Sequence, residues 1–408
     1  MSWVFLPQEV CFPVRRLAWV VPRYGENIVG GAETLVRALV EHLPSDRVAS
    51  VVLTTCAQDH HTWTNAYPEG ETRVGNTRVI RFRVNERDTT LHQVLQQKIV
   101  HRHPVSLEEQ LLWMRESVNS DALLAYLDRH AKTWDYLIFI PYLFGTSFWG
   151  SQVAPDRSLL IPCLHDEPYA HLPVFRELFE EVHGLIFNTE PEKRLARSLF
   201  RFRHDRLAVV GMGFSPFSSA RPERFRARRR IQGEYVLYYG RKEEGKNVHL
   251  LLEYFEAYVA ASSDPLTLVL AGSGAVDVPK PVEKFVVNLG VLTEEEKHDA
   301  VAGALCVCQP SINESFSIVL MEAWSHGIPV LVHEDCDVTR HHVHESQGGL
   351  CFRNAPEFVE ALTLLASDAA LRRILGQQGR RYVQREYAWD RVVTRFLDSL
   401  EAWSPCPV

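Results

Sequence analysis

Short apolar runs with almost no charge recur through the chain, and each hands over to a stretch with helical spacing. In the first half the runs are 17–21, 51–55, 136–140, 159–164, 185–187 and 207–210; in the second they are 235–239, 266–271, 285–289, 305–309 and 329–332. Runs this short suit strands buried on both faces, which is the condition of parallel strands sandwiched between helices. Helical patterns at 32–42 and 108–129, and again at 248–261, 294–302 and 317–326, supply the covering layers. The expected class is therefore α/β, with two doubly wound, Rossmann-like domains. At 408 residues the chain has room for both. The rhythm breaks at 211–233, where Gly211, Gly213, Pro216, Pro222 and a run of arginines read as a linker. The expected division is 1–213, 214–386, and a final amphipathic helix within 387–408 that returns to the first domain.

Composition narrows the function. Hydrophobic residues make up 46% and charged residues 23%, and the net charge is −7. Such a chain folds, and it does not bind nucleic acid through bulk charge. No apolar run reaches the ~18–20 residues of a membrane span. The N-terminal segment makes a poor secretory signal, because Arg15 and Arg16 follow its apolar residues and Glu9 and Pro13 interrupt it. Eight cysteines without a CxxC pair read as reduced thiols of a cytoplasmic protein.

The chemistry concentrates in QPSINESFSIVLMEAWSHGIPV, residues 309–330. A buried strand ends at Gln309, Pro310 and Ser311 turn the chain, and a helix is expected from about Ser315. The N–H groups of Ser315, Phe316 and Ser317 would then face an anion at a helix N-terminus. Glu314 precedes that helix and Glu322 lies eight residues on. At about 100° per residue, both carboxylates fall within a quarter-turn of one face. Two carboxylates flanking an anion site match the layout of a nucleotide sugar, a diphosphate between two polyol rings.

This segment resembles the E-x7-E signature of retaining, GT-B-fold glycosyltransferases of the GT4 type. Gly30-Gly31-Ala32-Glu33 resembles the family's N-terminal glycine loop, Gly240-Arg241 with Lys246-Asn247 its basic loop, and His165 in LIPCLHDEP its acceptor-side histidine. The resemblance spans roughly residues 16–400. It implies a cleft between the two domains with the donor on the second and the acceptor on the first. It implies that Glu322 holds ribose hydroxyls, Glu314 contacts the donor sugar, and the backbone of Ser315, Phe316 and Ser317 meets sugar or phosphate. Arg241 and Lys246 would neutralise the departing diphosphate. Gly30 and Gly31 would let backbone approach the phosphate, His165 would position the sugar, and the segment ending at Leu292 would flank the base. The donor would be a UDP- or GDP-sugar and the acceptor a saccharide or lipid-linked glycan, with no cofactor and no metal. The alternatives are a catalytically silent GT-B subunit, or a GT-B phosphorylase or epimerase.

Other motifs have plainer readings. Gly272-Ser273-Gly274 follows a strand but lacks a third glycine, so it reads as a turn. His333, Cys336, His341, His342 and His344 have poor zinc spacing and read as a loop near the donor pocket. Glu33 reads as a first-turn acid. From Lys193 to Arg230 twelve basic residues face two acids, Asp205 and Glu223. That stretch reads as a solvated helix and linker, or as a peripheral membrane contact with Leu195, Leu199, Phe200 and Phe202 as its apolar face.

Overall fold

A computed structural model describes residues 14–404 apart from 29, 216 and 218. The reading of the N-terminal leader up to residue 13, and that of Pro216 in the linker, lie outside the described residues.

The strands are β1 (Arg15–Val20), β2 (Val48–Thr55), β3 (Gly70–Val74), β4 (Thr77–Phe82), β5 (Tyr136–Phe139), β6 (Ser158–Leu160), β7 (Gly184–Phe187) and β8 (Leu207–Val209), then β9 (Tyr235–Tyr239), β10 (Thr267–Ala271), β11 (Val286–Asn288), β12 (Cys306–Gln309), β13 (Val330–His333) and β14 (Gly349–Phe352). The first eight form one sheet in the order β3-β4-β2-β1-β5-β6-β7-β8, and the last six form another in the order β11-β10-β9-β12-β13-β14. The pairings along β4-β2-β1-β5-β6-β7 and throughout the second sheet are parallel, and β3 pairs antiparallel with β4. Two-face burial is the reason the runs lack charge: Leu17, Ala18, Trp19 and Val20 are all fully buried, as are Val236 and Leu237 of β9. In the second sheet, helices Val248–Ala261 and Ala355–Ser367 bring Leu251, Phe255, Phe358 and Leu362 against Val236, Leu268, Leu270 and Phe352. Each such side chain contributes about 1.5–3 kcal/mol by leaving water.

The runs at 17–21, 51–55, 136–140 and 235–239 are strands, and the helices at 248–261 and 294–302 stand where their periodicity puts them. Four local expectations change. An antiparallel hairpin, β3–β4, adds to the expected strands, with Gly75-Asn76 between alternating runs as its signal. The single helix at 108–129 is two, Leu107–Arg115 and Asp121–His130, because Ser120 caps the second through Leu123 N–H. The stretch 211–233 contains a helix, Pro222–Arg229. The histidine-rich stretch is not a loop: helix Asp337–Ser346 carries His341, His342 and His344, and buried His342 shares a 2.9 Å hydrogen bond with the Tyr382 hydroxyl.

The basic stretch also differs from its sequence reading. Arg224 binds Asp299 and Glu295, while Arg228 and Arg229 both reach Glu296, so helix Glu294–Ala302 answers three of these twelve charges. Phe200, expected on a lipid-facing side, is buried and stacks on Phe179 at 4.0 Å. Among the described residues no helix is long and apolar enough to cross a membrane.

Contacts gather the chain into two units. One runs up to Pro162 and adds His171–Ile186 and Phe200–Leu207; the other takes Cys163–Ala170, Phe187–Leu199 and the chain from Ala208 onward. Cys163–Ala170, Phe187–Leu199 and 208–213, all ahead of the expected boundary, thus group with the second sheet, as does the final helix, Trp389–Ala402.

Candidate functional site

Strand order β11-β10-β9-β12-β13-β14 reverses direction of growth between β9 and β12. In open parallel sheets, ligands bind beyond the carboxyl ends of the strands at such a reversal. The loop leaving β9 carries Arg241 and Lys246, and the loop leaving β12 carries Glu314. They meet directly. Lys246 Nζ donates to Glu314 Oε1 at 2.7 Å, Gln309 Nε2 donates to the same oxygen at 3.1 Å, and the Asn247 side-chain amide donates to Pro310 O at 3.2 Å.

Two further loops brace this edge. Gly240 N–H donates to Ala271 O, Lys242 N–H to Ser273 O and Gly272 N–H to Gly290 O. Lys242 turns inward, its Nζ donating to Asn288 Oδ1 and Leu289 O. Burial lowers that ammonium below its usual range. Gly272 has φ +133, and a Cβ there would fall 1.8 Å from Gly240 O. The GxG turn is therefore a site of close backbone approach that sets the Arg241 loop. Leu292, half-buried, closes the loop leaving β11, immediately ahead of the Thr293 cap of helix Glu294–Ala302.

The helix after Glu314 spans Ile318–Ser325, later than expected. Ser315 and Phe316 precede it. Ser317 is its N-cap with φ +67, and the Ser317 hydroxyl is buried without a partner among the described residues. The Phe316 ring points into the protein, edge-on to Tyr387 at 5.1 Å and His342 at 5.7 Å. Its packing anchors the loop that presents Glu314.

Glu322, on that helix, accepts from Lys297 Nζ at 2.6 Å on one oxygen and from the Tyr239 hydroxyl at 2.8 Å on the other. Burial raises the Tyr239 hydroxyl well above its usual range, and the facing Glu322 carboxylate raises it further. Burial alone would lower the Lys297 ammonium, but Glu322 and Glu294 outweigh it and raise the group. Arg241 is about half exposed and pairs with Glu243 at 3.1 Å. Of the four charged groups expected to converge, Glu314 and Lys246 touch. Arg241 shares their loop edge, and Glu322 is held by Tyr239 and Lys297. Sequence reasoning missed both partners: Tyr239 reads as the last residue of a buried strand, and Lys297 reads as one end of a surface Glu-Lys pair.

His165 lies in the segment Cys163–Ala170 of this same unit, about a quarter exposed, with Nδ1 3.6 Å from Glu167. Gly30 and Gly31 lie in the other unit, at the start of helix Gly31–His42. A Cβ on Gly30 would strike Glu33 Oε2 at 2.1 Å, and Gly31 faces open space. Glu33 accepts from Arg23 at 2.5 Å, so its carboxylate braces its own loop.

Comparison with known proteins bears on this site. Residues 220–382 match the family model described as glycosyl transferases group 1. A D-inositol 3-phosphate glycosyltransferase of Corynebacterium urealyticum is 25% identical over 313 residues, 68% of this chain and 73% of its own. Other curated proteins of that description are matched over 53–59% of their lengths. Among solved structures, sucrose-phosphate synthase from Thermosynechococcus elongatus has a TM-score of 0.70 at 17% identity, covering 95% of this chain and 98% of that one. Anabaena HepE in complex with UDP and glucose has a TM-score of 0.67 at 14% identity, covering 95% and 100%. Likeness at this level of identity concerns the fold.

Proposed function

We propose, for a chain whose residues 220–382 match the group 1 glycosyl transferases and which has the GT-B fold, that it moves a sugar from a UDP- or GDP-sugar to a hydroxyl of a saccharide or lipid-linked glycan, retaining anomeric configuration. The observation that carries this is the meeting of Lys246 and Glu314 where the strand order reverses, beside the N-terminus of helix Ile318–Ser325. A diphosphate at that edge receives the Arg241 guanidinium, the Lys246 ammonium and the orphaned Ser317 hydroxyl. With Lys246 drawn to phosphate, Glu314 is released to accept from hydroxyls of the donor sugar.

Glu322 uses one lone pair on each oxygen for Lys297 and Tyr239, and the remaining pairs face ribose hydroxyls. Arg241 and Lys246 stabilise charge on the departing diphosphate, which takes the acceptor proton as the acceptor oxygen attacks from the same face. His165 orients the reacting sugar or acceptor. The acceptor contacts belong to the first unit in this reading, and no metal takes part.

A panel of UDP- and GDP-sugars screened by thermal stabilisation tests the donor, since a ligand that binds the folded chain raises stability by RT ln(1 + [L]/Kd). UDP-glucose is the first probe, because HepE binds UDP and glucose. One class of donor should stabilise the chain and release its nucleoside diphosphate when acceptor is added. A panel with no stabilising donor refutes the reading, and binding without any turnover of donor identifies a silent nucleotide-binding subunit instead.

A further inference from the structure

A buried glutamate with no part in the proposed transfer holds the backbone next to His165. Glu192, 1% exposed, sits in the first turn of helix Glu190–Leu199. Its Oε1 accepts from Leu164 N–H at 2.7 Å and its Oε2 from Asn188 N–H at 2.6 Å. Leu164 adjoins His165 in the chain. The residue before it, Cys163, is held at φ +54, a left-handed conformation that a non-glycine residue adopts at a cost and keeps only where its surroundings enforce it. The Asn188 side-chain amide donates to Cys163 Sγ at 3.7 Å and holds the same residue.

The platform reaches a second site segment. The Thr189 hydroxyl accepts from Glu192 N–H at 3.3 Å and donates to Ser315 O at 3.1 Å, and Ser315 is the neighbour of Glu314. One short stretch, Asn188 to Glu192, thus ties the backbone carrying His165 to the backbone carrying Glu314. All of these residues fall in one unit. Burial pushes the Glu192 carboxyl up to about 8 against the opposing pull of backbone N–H groups, so keeping an acid here has a cost that a helix start alone does not require.

We infer that Glu192 is a positioning residue for the transfer reaction: it fixes the strained Cys163–His165 backbone and, through the Thr189 hydroxyl, holds it in register with the loop that presents Glu314. The inference rests on the proposed glycosyl transfer. Glutamine in its place keeps one acceptor but turns an NH2 group toward a backbone N–H, so one of the two ties is lost. Misplacement of the His165 loop should act on the chemical step rather than on donor binding.

The test uses the full chain and the UDP- or GDP-sugar that the wild type turns over. Glu192→Gln should lower kcat about 10- to 100-fold, with calorimetric affinity for the corresponding UDP or GDP unchanged within about twofold. His165→Ala combined with Glu192→Gln should lose little more than His165→Ala alone, because Glu192 works through that loop; a merely structural role would multiply the two effects. Thr189→Val keeps both carboxylate bonds and cuts the link to Ser315, so it decides the matter if Glu192→Gln fails to fold; it should lower kcat with nucleotide affinity intact. Wild-type kcat in Glu192→Gln, multiplied effects in the double variant, or, where Glu192→Gln fails to fold, normal kcat in Thr189→Val overturns the inference. A wild type that turns over no donor overturns the glycosyl-transfer reading instead.

Discussion

Lys297→Met isolates the group that holds Glu322. Lys297 and Glu322 are 18% and 14% exposed and 2.6 Å apart, and the other partner of Lys297, Glu294, is 81% exposed. Methionine keeps the apolar stem and removes the charge. Glu322 then keeps the Tyr239 hydroxyl, and a mostly buried carboxylate loses its cation. Two unit charges 4 Å apart attract by about 4 kcal/mol at an effective dielectric of 20. Removing one partner of a fully buried pair costs ~3–5 kcal/mol. Since both groups retain some solvent, the expected loss is about 2–4 kcal/mol. Equilibrium urea unfolding of Lys297→Met, Glu322→Ala and the double variant reads it as a cycle, in which the second substitution should cost much less once the first is made. The cycle also separates stability from binding. Glu322→Ala should weaken nucleotide binding by about 1.5–3 kcal/mol, as expected for lost hydrogen bonds to a charged acceptor; in Lys297→Met the carboxylate is still present and the loss should be smaller. A coupling below about 0.5 kcal/mol would refute the pairing, and unchanged calorimetric affinity in Glu322→Ala would remove Glu322 from the nucleotide site.

Other expectations concern the same sheet edge and the histidines. Arg241→Ala should cut turnover at least ~100-fold, because the group is expected to stabilise the leaving diphosphate; being half exposed, it should leave the melting temperature nearly unchanged, and near-normal turnover removes that role. Gly272→Ala places a Cβ against Gly240 O at a positive φ and should destabilise by more than ~2 kcal/mol, whereas Gly290→Ala, which meets nothing within 4 Å, should stay within about 0.5 kcal/mol, both read by urea midpoints. Burial lowers His342 to about 3 and His326 to about 4. Above pH 6.5 both are neutral folded or unfolded; below it the unfolded chain takes up protons that the folded chain refuses, so stability falls as pH drops toward 4. For His342 the loss at pH 5 should be about 2 kcal/mol, and a flat stability profile between pH 7.5 and 5 contradicts it.

Much of this protein is written in local sequence. A run such as Tyr235–Tyr239 has no charge because both faces of its strand are covered, and that requirement is visible one residue at a time. Likewise the eight-residue spacing of Glu314 and Glu322 and the basic loop after β9 are properties of short segments, so the nucleotide-sugar reading could be made before any coordinates. What the sequence by itself could not supply is pairing across distance. Lys297 and Glu322 are 25 residues apart, Leu164 and Glu192 28, and Thr189 and Ser315 126. Each looks ordinary in its own segment: a surface lysine, a first-turn acid, a helix-capping threonine. The fold alone brings them within hydrogen-bond reach, and burial then strengthens each pairing by removing the water that would otherwise compete for it. The start of the helix at Ile318 was settled in the same way: packing of Phe316 against Tyr387 and His342 draws Ser315 and Phe316 out of the helix that their sequence would have allowed.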